Sequence, residues 1–100
     1  MITAKDIQGG YKLIRVDGSE SFVEGKPTIG KIQASIGCDC CDSVTIDRRN
    51  QIIMLVDDTG MVDGKPVNRK ATALAAEAFG PQYPYSIHGD VAIVWDGDFA

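Results

Sequence analysis

Ile52-Ile53-Met54-Leu55-Val56 is an unbroken apolar run that ends in Asp57-Asp58-Thr59-Gly60. A strand with one wet face alternates polar and apolar residues; this run does not, so it reads as a strand covered on both faces, set centrally in a sheet. Immediately upstream, Val44 and Ile46 alternate with Ser43, Thr45 and Asp47, the pattern of a half-buried strand, and Asp47-Arg48-Arg49-Asn50 is the turn between the two. Downstream, Asn68 is placed as the N-cap of a helix whose apolar stripe is Ala71, Leu74, Ala75 and Ala78, and Gly80-Pro81 stops that helix. Residues 82–86, with Tyr83, Pro84 and Tyr85, form a loop, after which Val91-Ala92-Ile93-Val94-Trp95 closes the sheet.

Before the decisive run, residues 11–16 and 21–24 flank Asp17-Gly18 as a hairpin. Ile29, Ile32 and Ile36 then recur at helical spacing, with Thr28 as N-cap and Gly37 as C-cap. These elements make an α+β domain: a small mixed or antiparallel sheet of about four to five strands with two helices packed on it. The chain of 100 residues is one domain, 1–100. Ten Lys and Arg against fourteen Asp and Glu give a net charge of −4, which disfavours nucleic acid as a partner because no cation excess exists to displace phosphate counterions. The longest apolar run falls far short of the roughly 20 residues of a membrane span. Residues 1–10 carry Lys5 and Asp6 and no apolar core, so no secretory signal is read and a cytoplasmic location is expected.

Cys38, Cys40 and Cys41 are the first chemical candidate. Their crowding argues against a disulfide framework, and the adjacent pair Cys40-Cys41 would point to opposite sides of a strand, which argues against a zinc site even with His88 as a further ligand. No metal or other cofactor is expected. No third group orients a thiol–His88 pair, so nucleophilic catalysis is not expected either. Asp57, Asp58 and Asp63 lack the alternation of a calcium loop and read as a strand-end turn. The remaining constellation is Asn68-Arg69-Lys70-Ala71-Thr72. Helix starts favour anions, and two cations in a first turn become favourable if a phosphate or carboxylate docks there. Asn68, Arg69, Lys70 and Thr72 are therefore candidate ligand contacts, joined by Arg48 and Arg49, by the rings of Tyr83 and Tyr85, and by His88. The bland alternatives are a charged turn that keeps the hairpin soluble and aromatic residues, Trp95 among them, that simply pack.

The order of a helix ending Ile36-Gly37, a strand with Val44 and Ile46, the run ending Val56-Asp57-Asp58, then Gly64-Lys65-Pro66-Val67-Asn68-Arg69-Lys70-Ala71-Thr72-Ala73-Leu74 and Ile87-His88-Gly89-Asp90-Val91-Ala92-Ile93-Val94 resembles the small domain-of-unknown-function family 3846. The resemblance covers about residues 28–96, and its most specific parts are residues 66–72 and Gly89-Asp90 before a strand. It implies a cytosolic accessory protein of a phage, plasmid or other mobile element, in the host cytoplasm if phage-encoded, with a role in countering host defence. It brings no catalytic residues, and Cys38-Asp39-Cys40-Cys41 departs from its pattern. The leading expectation is a non-enzymatic homo-oligomer that sequesters an anionic nucleotide-type signal. The alternatives are a protein–protein inhibitor that docks its acidic surface on a host defence protein, and a small metal–thiolate protein.

Overall fold

The computed structural model describes residues 2–39, 41–80 and 86–98. The strands are β1 (Gly10–Ile14), β2 (Glu20–Glu24), β3 (Cys41–Asp47), β4 (Ile52–Asp57) and β5 (Val91–Trp95), and the helices are α1 (Ile29–Ile36) and α2 (Arg69–Phe79). Short 3-10 helices, Ala4–Ile7 and Asp96–Asp98, precede and follow them. The five strands form one sheet in the order β2-β1-β5-β4-β3, and every neighbouring pair is antiparallel.

The expected elements are present, with two differences in placement. The strand expected to close the sheet, β5, is its middle strand, and β4 lies beside it. Burial of Val91, Ala92, Ile93 and Val94 explains why: all four are at 0% exposure, which only a strand paired on both sides and covered on both faces achieves. The cover comes from a helix on each face. α2 supplies Ala71 and Ala75 against Ile14, Ile52, Met54, Val56, Val91 and Ile93. On the other face, α1 supplies Ile32 and Ile36 against Tyr11, Leu13, Leu55, Ala92 and Val94. The helices end as their sequences direct: Thr28 Oγ1 accepts from the Lys31 N–H, Gly37 is left-handed at φ 68°, and the Gly80 N–H bonds back to Ala76.

At the edge, β2 is tied to the sheet by charge as well as by its ladder. Glu20 sits between Lys12 of β1 and Lys70 of α2. The hydrogen bonds from Lys12 and Lys70 hold its carboxyl down at about 2, against an ordinary 4.5. A carboxyl depressed on folding contributes stability that is present above its unfolded value and lost as the pH falls through the folded one. Glu20 is therefore expected to contribute fully above about pH 4.5 and to lose its share between about 4.5 and 2. Urea unfolding across that window checks this: Glu20→Gln should flatten the acid limb, and an unchanged limb would contradict the assignment.

Candidate functional site

The start of α2, where an anion was expected, is built from inward-facing bonds. Asn68 is at 0% exposure. Its Oδ1 accepts from the Ala71 N–H at 3.0 Å, while its Nδ2 donates to the Ile14 carbonyl at 2.9 Å and the Gly89 carbonyl at 3.0 Å. Thr72 Oγ1 donates to the Asn68 carbonyl and accepts from the Ile87 N–H. Lys70 Nζ donates to the Gly18 carbonyl and to Glu20, so the cation that defied the helix dipole is answered from the first hairpin. Arg69 is exposed and makes no ion pair among the described residues. Asn68, Thr72 and Lys70 thus join α2 to β1, to the segment before β5 and to the first hairpin, and their polar atoms are engaged in doing so.

His88 and Arg48–Arg49 lie elsewhere. The His88 Nδ1–H donates to the Lys65 carbonyl at 2.7 Å, and Nε2 lies within hydrogen-bond distance of the Ser86 hydroxyl at 3.1 Å. The ring walls an open groove of about 620 Å³ that is also lined by Asp42, Asp58, Met61 and Val62, with the buried Asp57 beneath, a lining that repels anions. Tyr83 and Tyr85 fall outside the described residues. Arg48 and Arg49 occupy the exposed β3–β4 turn, whose end is marked by the Ile52–Trp95 pair and by the Asp96 N–H donating to the Gln51 carbonyl. The start of α2 is at the opposite end of β5, beside Gly89. One chain therefore does not bring these arginines to Asn68, Arg69, Lys70 and Thr72.

The acidic turn after β4 is a clasp. Asp57, its side chain 2% exposed, pairs with Lys65, and its Oδ1 accepts from the Thr59 N–H and hydroxyl. Burial pushes the Asp57 carboxyl up, but the Lys65 hydrogen bond and charge and the Thr59 donors outweigh it and hold it below its usual range. Lys65 Nζ also donates to the Ile36 and Gly37 carbonyls, so it satisfies orphan acceptors at the C-terminus of α1. Thr59 Oγ1 links Asp63 to the same turn.

A second hollow, of about 530 Å³, opens at the Trp95 end of the sheet. Lys5, Ile7, Gln8, Gly9, Lys26 and Trp95 line it. The 3-10 helix Ala4–Ile7 brings Lys5 there because Ile7 is anchored in the core, and the Gly25 N–H to Gly9 carbonyl bond brings the β2 end, with Lys26, alongside. Neither lysine has a carboxylate partner among the described residues. Lys31 Nζ bonds the Lys26 carbonyl and adds a third cation nearby, and Arg48 and Arg49 stand at this same end; the exposed Asp96 offsets part of that charge. Trp95 is 44% exposed, and its ring lies on Gly97, where an added Cβ would come within 2.7 Å of it. The size suits a small organic ligand, with an aromatic ring for stacking and ammonium groups for an anion. Sequence reasoning treated Trp95 as core packing by default. Its position after Val91 and Ile93 on one face was visible, but Lys5 and Lys26 converge on it only through tertiary contacts.

Among the described residues, no helix is long and apolar enough to cross a membrane. Comparison with curated proteins and with solved structures finds no match to the chain. One family model does match, over residues 11–100, so the similarity reaches back through the β1–β2 hairpin as well as over the segments from residue 28 onward. The chain belongs to the family described as "Domain of unknown function (DUF3846)".

Proposed function

We propose that the chain is a non-enzymatic binding protein that holds a small anionic aromatic ligand of nucleotide type in the hollow beside Trp95. The observation that carries this reading is the pairing of a half-exposed indole with two lysines that have no carboxylate partner among the described residues, around about 530 Å³ of open space. A base stacks on the indole and phosphate oxygens meet the lysines, with Arg48 and Arg49 adding long-range attraction. The ligand thereby moves away from the start of α2, where Asn68, Thr72 and Lys70 already have internal partners. In the setting that the family resemblance implies, a cytoplasmic accessory protein of a phage or other mobile element, holding a nucleotide signal without turning it over blunts a host defence. The hollow is open on one side, and a second copy in a homo-oligomer would close it.

Native mass spectrometry of protein purified from cells with an active nucleotide-signalling defence, followed by denaturation, tests stoichiometry and ligand together. The expected result is an oligomer that releases a nucleotide of defined mass. Lys5→Glu with Lys26→Glu should abolish that release, and Gly97→Ala should weaken it by displacing the indole. Release that is indifferent to all three changes would refute the site.

One observation favours a second reading, inhibition of a partner protein. The groove beside His88 combines two exposed carboxylates, Asp42 and Asp58, with Met61 at 58% and Val62 at 87% exposure, a surface complementary to a basic segment with apolar side chains. Capture of a host protein that depends on Asp58 and Val62 would support it.

A further inference from the structure

Beyond ligand binding, the junction between α1 and β3 carries chemistry of its own. Gly37, left-handed at φ 68°, turns the chain sharply out of α1, so that Cys38 points into the core beside Ile32 and Ile36. Three residues on, Cys41 opens β3 opposite Asp57, its side chain on the same face of the sheet. The two thiols meet with their sulfurs 2.6 Å apart. Both are free, and they differ in access: Cys38 is buried and Cys41 is half-buried. A Cys-x-x-Cys spacing across a helix end is the arrangement in which two thiols can be bridged with little backbone movement. Crowding of the three cysteines had argued against pairing, yet it is the outer two, Cys38 and Cys41, that are brought together.

We propose that Cys38 and Cys41 form a reversible dithiol–disulfide site that exchanges two electrons with a low-molecular-weight disulfide of the glutathione type. Access sets the order of events. The Cys41 thiolate attacks one sulfur of the external disulfide; a Cys41–glutathione bond forms, the external bond breaks, and one glutathione thiolate leaves. Cys38 then attacks Cys41 Sγ, its proton passing to the second departing glutathione. The Cys38–Cys41 bond forms as the mixed disulfide breaks. Two protein thiols are oxidised and one external disulfide is reduced to two thiols. Burial, with Cys41 beside it, pushes the Cys38 thiol up to about 12, which suits it to the resolving role rather than the attacking one. The bond would fasten the C-terminus of α1 to the edge strand, next to the Asp57–Lys65 clasp. Under the reducing poise of a cytoplasm the dithiol form is the resting state, and the disulfide reports a shift in that poise.

The test uses the full chain, reduced, exchanged into a glutathione–glutathione disulfide buffer, alkylated and mapped by fragment-ion mass spectrometry. The expected result is loss of two hydrogens, Cys38 and Cys41 joined, Cys40 alkylated, and a Tm raised by about 5 °C or more, all reversed by a thiol reductant. Cys40→Ser should form the same bond, and Cys38→Ala should stop at a glutathione adduct on Cys41. Full alkylation of Cys38 and Cys41 in the oxidised sample would overturn the proposal. So would a bond that includes Cys40, or a stoichiometric zinc or copper ion that blocks exchange in the protein as purified. The unaltered chain decides the matter, so the result does not depend on whether a variant folds.

Discussion

Replacing Asn68 with Ala is expected to lower the unfolding free energy by about 3 kcal/mol, a large share of what a domain of this size has. Removal of the Oδ1 acceptor uncaps α2, which by itself costs about 1 kcal/mol. The larger part comes from Nδ2. It donates to the carbonyls of Ile14 and Gly89, which belong to β1 and to the turn before β5, and no water reaches a side chain at 0% exposure to replace it. Each buried acceptor left unpaired adds roughly 1–3 kcal/mol, and the terms are not fully additive. Asn68→Asp separates the two roles. It keeps the capping oxygen but turns a second oxygen toward two carbonyls, so at neutral pH it should be at least as damaging as Ala; protonation at acid pH restores one donor and should narrow the gap. Urea unfolding at constant m-value measures both. A loss under about 1 kcal/mol for Asn68→Ala would mean that the bonds to Ile14 and Gly89 contribute little.

Lys65→Met should be comparably severe, at about 3 kcal/mol. The methionine keeps most of the aliphatic stem that lies against Gly89, so the change isolates the charge. What it leaves behind is a buried Asp57 carboxylate with only Thr59 as donor, together with a part-buried Ile36 carbonyl that loses its Lys65 contact. Breaking one half of a buried pair is worse than removing both, so adding Asp57→Asn to Lys65→Met should recover part of the loss. The pH dependence has a definite sign. In the unaltered protein the folded Asp57 carboxyl lies below its usual range, so its contribution is present above the unfolded value, near 3.8, and falls away as the pH drops through the folded one. Without Lys65 only the Thr59 donors oppose burial, so the carboxyl lies higher than in the unaltered protein. The variant is then penalised most at neutral pH and regains ground on the unaltered protein as acid protonates Asp57. A stability difference that stays constant from about pH 7 to about pH 3 would show that the ion pair is not the cause.

Much of this architecture was legible because local signals and burial agree. The runs at 52–56 and 91–95 lack alternation since a helix covers each face of the sheet, and Asn68, Thr28, Gly37 and Gly80 stand where helix ends need them. What pattern could not show was which face each helix takes, or that β5 enters between β1 and β4, because those depend on contacts between segments far apart in the chain. The candidate site was harder for the same reason. Residues 68–72 look like an anion cradle in one dimension, and the partners that occupy them, Ile14, Gly18, Glu20, Ile87 and Gly89, come from other elements. Arg48 and Arg49 are legible as cations, but their position at the Trp95 end follows from the β4–β5 register. For the cysteines a signal is present in the spacing of Cys38 and Cys41, which is that of paired thiols, while the adjacent Cys40-Cys41 pair argues locally against a shared site.

Trp95 is the single tryptophan of the chain, so its emission reports on the proposed hollow without a label. Titration of the protein with adenosine and guanosine monophosphates and their cyclic dinucleotides, followed by that emission, is the most direct measurement. If the hollow binds a nucleotide, at least one member of the panel quenches the indole saturably, added salt weakens the effect, and Lys5→Glu with Lys26→Glu removes it. Emission that no member of the panel changes, or quenching that persists undiminished in the double variant, would contradict nucleotide binding at Trp95.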